Sequence, residues 1–201
     1  MNRIKRSLVL PIVAYGDPVL RRVGKDIDKD YPGLEELIEN MKETMKNAQG
    51  VGLAAPQVGR DIRLFLIDAS PFSENEELEE EERTFLKDFK RTFINARIVE
   101  EQGDEWAFNE GCLSIPNINE DVYRPEVIHV EYLDEDFTER QETLTGLAAR
   151  IFQHEYDHIE GILFTDKLSS LKKRLLKKKL ENISKGKVDV SYRMKFPNIK
   201  K

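Results

Sequence analysis

His154-Glu155-Tyr156-Asp157-His158 is the stretch of this chain whose residue types and spacing speak first of chemistry. Two histidines four apart share one face of a helix, so both rings can reach one metal ion while Glu155 lies beside them as an acid or base. The apolar residues Leu147, Ala148 and Ile151 continue the same stripe, which predicts that this face is buried. Bare imidazoles there are costly without partners, and a metal supplies one. Two hydrogen-bonded core histidines are the plain alternative.

A catalytic metal needs three protein ligands and one open position. A histidine three places past the glycine of HExxHxxGxxH would complete one protease pattern, but Phe164 stands at that place after Gly161. A downstream glutamate would complete another, yet beyond Glu160 only Glu181 remains, inside a lysine-rich helix. His129 falls in an alternating strand and reads as structural. Cys112, the one cysteine, stands in Glu110-Gly111-Cys112-Leu113-Ser114-Ile115-Pro116. A lone cysteine is usually a small hydrophobe, but a glycine before it and a proline after it mark a special turn of chain. Its thiolate would give a Cys-His-His set with a vacant fourth corner, which suits catalysis better than structural zinc.

A third segment, Gly50-Val51-Gly52-Leu53-Ala54-Ala55-Pro56-Gln57-Val58-Gly59, superficially matches a dinucleotide loop. That loop must follow a strand and open a helix; here a helix precedes it and Pro56 interrupts it. It also lacks the ending of a phosphate loop. A glycine-rich turn that lets backbone approach a ligand fits better, with Gln57 free to offer its amide to a developing oxyanion. A tight connector carrying a surface glutamine is the alternative.

These segments must be positioned by a scaffold of 201 residues, long enough for one domain over 1–201 without disulfide staples. With 38 acids against 32 bases the chain is no general nucleic-acid binder, so DNA is not expected. One cysteine fits a reducing compartment, and no apolar run approaches membrane-spanning length. Arg3, Lys5 and Arg6 before Leu8 to Tyr15 imitate a secretory signal, but Pro11 splits the run, and an extended segment laid on the body is preferred. Apolar spacing predicts helices over 33–48, 144–159 and 169–184. Strands are expected over 62–67, 93–99, 106–108, 127–133 and 137–143, with a last one over 187–196. Seven glutamates between Glu74 and Glu82 predict a self-repelling, solvated insertion over about 73–88. The expected fold class is α+β, with antiparallel strands around the helix bearing the HExxH motif.

In order, GVGLAAPQVG, EGCLSIP and QHEYDH resemble the three signature motifs of peptide deformylases. The resemblance runs from about Leu10 to Lys167 and breaks at the acidic stretch. It implies a bacterial-type cytoplasmic enzyme that removes the formyl group from N-formylmethionine of nascent polypeptides. It further implies Cys112, His154 and His158 as ligands of one divalent ion, natively Fe2+, with Zn2+, Ni2+ or Co2+ as substitutes. Glu155 would be the general acid/base, and Gln57 and the backbone N–H of Leu113 the oxyanion donors. Gly52, Gly111 and Ile151 would contact substrate, with Arg124 counted beside them as an arginine that supports the site.

Two rivals share some of these parts. A metallopeptidase would cut internal amide bonds with the same metal and Glu155. A non-catalytic ribosome- or peptide-binding module would use the metal only for structure. The segment 167–201 opens with nine bases and one acid between Lys167 and Lys187. It reads first as a solvated amphipathic helix with Leu168, Leu171, Leu175, Leu176 and Leu180 inward. Docking on ribosomal RNA is the electrostatic alternative.

Overall fold

The computed structural model describes residues 7–199. In chain order, β1 (Ile12–Val13) and α1 (Leu34–Asn47) precede β2 (Gly52–Ala54) and β3 (Leu64–Asp68). Then come α2 (Glu80–Lys87), β4 (Lys90–Cys112), β5 (Ile115–Leu133) and β6 (Glu139–Thr145). The chain closes with α3 (Gly146–Ile159), α4 (Ser170–Ser184) and β7 (Met194–Lys195). The fold is α+β: an antiparallel sheet runs in the order β2-β3-β4-β5-β6, and β1 pairs with β7 in a small parallel sheet.

The strands expected over 93–99 and 106–108 are one strand, β4, and its partner β5 is equally extended. Register shifts at Ile94/Arg97, Ile98/Glu100, Gln102/Glu105 and Gly111/Cys112 explain why sequence alternation broke them apart. Each bulge resets the in–out period and bends the ribbon. The root of the hairpin is flanked by β3 and β6, whereas its far part, beyond about Glu105, pairs only with itself among the described residues. That free arm carries Cys112 at its tip.

Helix α3 begins at Gly146 rather than 144, because Leu144 and Thr145 still pair with Ile128 and Val127 in β6. Its apolar face enters the core: Phe152 meets Phe65 and Phe93 edge-on, with ring centroids 5.1 and 5.0 Å apart. Ile38, Met41 and Met45 of α1 pack on Leu53, Leu64 and Leu66. The segment before β1 lies along α1, the N–H groups of Leu8 and Leu10 donating to Asn40 Oδ1 (2.6 Å) and Thr44 Oγ1 (2.8 Å). The basic lead Arg3, Lys5 and Arg6 falls outside the described residues.

Three expectations need correction. The acidic stretch is not simply a solvated insertion: Glu80–Glu82 form the first turn of α2, where the helix N-terminus favours acids, and Leu86 is fully buried. Leu171 and Leu175 do not pack inward but are 61% and 70% exposed, since Leu176, Leu180 and Ile183 already fill the one stripe α4 can bury. Among the described residues the tail pairs only at Met194–Lys195, so most of 187–196 is irregular. Among the described residues no helix is long and apolar enough to cross a membrane.

Candidate metal centre

Sequence spacing puts His154 and His158 one above the other on α3, ring centroids 5.2 Å apart. The arm of β4 and β5 folds back over this helix, where Arg150 Nη2 donates to the Trp106 carbonyl at 2.6 Å. Cys112 thereby arrives with its Sγ 3.3 Å from His158 Nε2. The sulfur and one nitrogen from each ring lie within 4.8 Å of one another. Three ligand-type atoms from distant parts of the chain thus surround one small volume.

Behind the rings lies a buried polar network centred on Glu110. Its Oε2 accepts from His154 Nδ1 at 2.9 Å, while Arg124 donates to both carboxylate oxygens at 2.7 and 2.9 Å. Arg150 adds a contact at 3.2 Å, and Arg124 also reaches Asp157 Oδ2 at 2.7 Å. Burial pushes the Glu110 carboxyl up, but its bonds to Arg124 and His154 more than offset this and hold it far below the usual carboxylate range. Burial likewise pulls the His154 ring down, yet bonds to Cys112 and Glu110 raise it well above the ordinary imidazole value. His158 is driven well below that value by burial and by the charge on His154. With Nδ1 of His154 committed to Glu110, its Nε2 is left to act as a ligand, the arrangement by which outer carboxylates fix metal-binding rings.

The front differs. Glu155 is 4% exposed and its Oε2 has no hydrogen-bond partner among the described residues. Burial pushes its carboxyl up to about 7, against the opposing pull of His154 and Arg124. Strand β2 passes so close that a Cβ on Gly52 would overlap Oε1 of Glu155, which explains why the chain needs glycine there. Gln57 Oε1 accepts from the Ala54 N–H at 2.9 Å, which turns its amide nitrogen toward Ser114 Oγ (3.3 Å) and Cys112 Sγ (3.5 Å).

A cleft of about 780 Å³ opens in front of these groups. Val51, Phe72, Phe108 and Ile151 give it apolar walls, and Gly52, Gly111 and Leu113 border it. Arg124 does not line it: at 2% exposure it faces Glu110 and Asp157 behind the rings. His129 sits on the sheet against Thr143 Oγ1 at 2.7 Å, away from the centre. Sequence reasoning assigned no role to Glu110, Asp157 or Arg150. For Glu110 a signal existed in its place two residues before Cys112, within the same short segment. Arg150 gave none; its guanidinium stacks 4.3 Å from the Trp106 ring centroid, a partner 44 residues away.

Comparison with known proteins gives a consistent answer. The family model described as polypeptide deformylase matches residues 9–174. A peptide deformylase of Christiangramia forsetii is 65% identical over 194 residues, covering 96% of this chain and 99% of the relative. One from Flavobacterium johnsoniae is 63% identical over the same shares. Among solved structures, a plant peptide deformylase superposes with a TM-score of 0.76 at 33% identity, covering 92% of this chain and 94% of that one.

Proposed function

The chain belongs to the polypeptide deformylase family and is a hydrolase that removes the N-terminal formyl group of nascent polypeptides; we propose how its own residues do so. Cys112, His154 and His158 hold one divalent ion, Fe2+ natively, with Ni2+, Co2+ or Zn2+ as substitutes. When bound, such an ion lowers the pKa of a water molecule and polarises a carbonyl. The donor set fits that role: three ligand atoms within 4.8 Å, one ring fixed from behind by Glu110, and an unpaired oxygen of Glu155 in front.

Formylmethionine lies in the cleft with its side chain against Ile151 and the neighbouring apolar wall, and its backbone passes Gly52 and Gly111. Glu155 takes a proton from the attacking water and returns one to the departing amine nitrogen. The oxygen gaining charge on the formyl carbon faces Gln57 Nε2 and the Leu113 N–H, each worth roughly 3 kcal/mol. Formate leaves and a free amine remains. The convergence of Cys112 with the histidine pair beside an unpaired Glu155 carries this reading. We also read the chain as one domain, its strands wrapped on α3 as the scaffold, working in the cytoplasm.

Formate release from formyl-Met-Ala-Ser tests it. Glu155→Gln should keep the metal and lose roughly 10²–10⁴-fold in kcat. Faster cleavage of an unformylated peptide would favour a metallopeptidase. A merely structural metal predicts unfolding by chelators and no effect of Glu155→Gln.

A second reading concerns α4. The lysines of α4 form a basic face around the exposed Leu171 and Leu175, and we propose that this charge docks on an anionic surface such as ribosomal RNA. Ribosome binding that survives neutralisation of Lys172, Lys173, Lys177, Lys178 and Lys179 would remove it.

A further inference from the structure

Both carbonyls of the Leu113–Ser114 turn, where β4 gives way to β5, are held by residues from the two ends of the chain. The Ser114 carbonyl accepts from the Tyr15 N–H at 2.8 Å, just beyond β1. The Leu113 carbonyl accepts from the Tyr192 hydroxyl at 2.7 Å, two residues before β7. Because β1 and β7 pair with each other, Ile12 with Met194 and Val13 with Lys195, the two holds form one clamp. The tail that carries Tyr192 also walls the cleft, and Asn117 Nδ2 fastens it by donating to the Asp189 carbonyl at 3.0 Å.

From this geometry we infer that Tyr192 is a positioning residue for the reaction: its hydroxyl fixes the turn that presents both Cys112 and the Leu113 N–H. This rests on the proposed roles of those two groups. The held carbonyl belongs to the Leu113–Ser114 peptide and the donor N–H to the preceding Cys112–Leu113 peptide, so the hold acts on the donor through Leu113, whose ψ it fixes and whose freedom in φ it thereby limits. An oxyanion donor works only when it is already aimed, since preorganised dipoles incur no reorganisation during the reaction. The Tyr192 ring packs in the cluster of Ile12, Met41 and Leu53, so its position does not depend on the hydroxyl. The tail is therefore a part of the active site contributed from the far end of the chain, outside all three sequence motifs.

Tyr192→Phe removes the hydroxyl and keeps the ring. In the metal-loaded enzyme it should lower kcat about tenfold with KM within about twofold, at unchanged metal content. In the zinc-loaded, diamagnetic protein the amide resonances of Leu113 and Ser114 should broaden by exchange while those of the β4–β5 root stay sharp. Wild-type kcat with sharp turn resonances overturns the proposal. So does a fall in kcat that comes with an equal rise in KM and a general loss of thermal stability, the pattern of a purely structural residue. If the wild-type protein releases no formate, the deformylase roles fail separately; turn broadening in Tyr192→Phe then still upholds the clamp, and its absence refutes it.

Discussion

The two sides of the histidine pair are built on opposite principles. On the rear side the carboxylates and Arg124 are paired: Glu110 with two arginines and a ring, Arg124 with Glu110 and Asp157, and among the described residues only Nε of Arg150 and Nδ1 of His158 lack a partner there. On the front side Glu155 is just as buried, yet one oxygen has no partner and its carboxyl is raised by desolvation. Burying an unpaired carboxyl is costly, so the front oxygen is retained at the expense of stability. In the proposed mechanism the rear orients the ligands, and the front keeps a proton acceptor ready near neutral pH. Substitutions on the two sides should accordingly fail in different ways.

The largest effect is expected in front. In Gly52→Ala the new methyl must displace the Glu155 carboxylate, because β2 is held in the sheet by β3. A catalytic group moved by about 1 Å loses on the order of 10²-fold in kcat. Metal content and melting temperature should stay close to wild type. Loss of metal in this variant would erase the distinction between the two sides.

Glu110→Gln should produce the reverse. Outer-shell partners of metal-binding histidines typically contribute about 10–100-fold in metal affinity. The variant should bind Co2+ or Ni2+ more weakly in competition with a chelator, while kcat of the saturated enzyme stays within a few-fold. Stability carries a second signature. Because the folded Glu110 carboxyl titrates far below its unfolded value, its pairing stabilises the fold above the ordinary carboxylate range and is lost as pH falls beneath it. Glu110→Gln should unfold with a shallower dependence on acid.

Removing the metal sharpens the contrast through pH. The folded Glu155 carboxyl is raised to about 7, so the stability linked to its proton is present at low pH and is lost as pH rises through that value. His154, also raised, contributes stability that is fully present below the ordinary imidazole value and fades above it. His158, which is lowered, acts in the opposite sense, but only below that ordinary value. Above about pH 6.5 the metal-free protein should therefore lose melting temperature with rising pH. The metal-loaded protein should not, since a cation replaces the proton on His154 and favours the Glu155 carboxylate. A flat profile without metal would show that these groups do not govern the fold's pH response.

The sequence disclosed the front better than the rear. Glu155, His154 and His158 are fixed by helical period alone, and Cys112, Gln57 and Gly52 each stand in a short segment with unusual local chemistry. The rear depends on pairs whose members lie far apart: Arg124 meets Asp157 33 residues away, and Arg150 meets Glu110 40 residues away. No local period encodes such a pairing. The β4–β5 arm that brings them together was equally hidden, because its bulges break the alternation by which strands are recognised. Helices α1 and α4 were legible nearly to their ends because an apolar stripe sets each one. The inward face of α4 was read too wide, since spacing alone does not say which leucine stripe meets the body.

The acidic stretch carries the smallest effect and the clearest lesson in local reading. Seven glutamates in nine residues look like repulsion with no target. In the fold, however, Glu82 Oε1 accepts from the Leu147 N–H at 2.9 Å, at the start of α3. Thr145, the residue that precedes this helix, makes no side-chain cap of its own. A glutamate from another helix thus caps α3 and places negative charge at its positive end. Glu82→Gln keeps an acceptor but removes the charge, and Glu82→Ala removes both. The losses should be about 0.5 and about 1 kcal/mol, read as a graded fall in melting temperature. Because His154 lies two turns beyond the cap, kcat and metal affinity should stay at wild-type values in both variants. A fall in metal affinity with either would mean that fraying at the helix start reaches the ligands, and that the rear network does not hold the centre by itself.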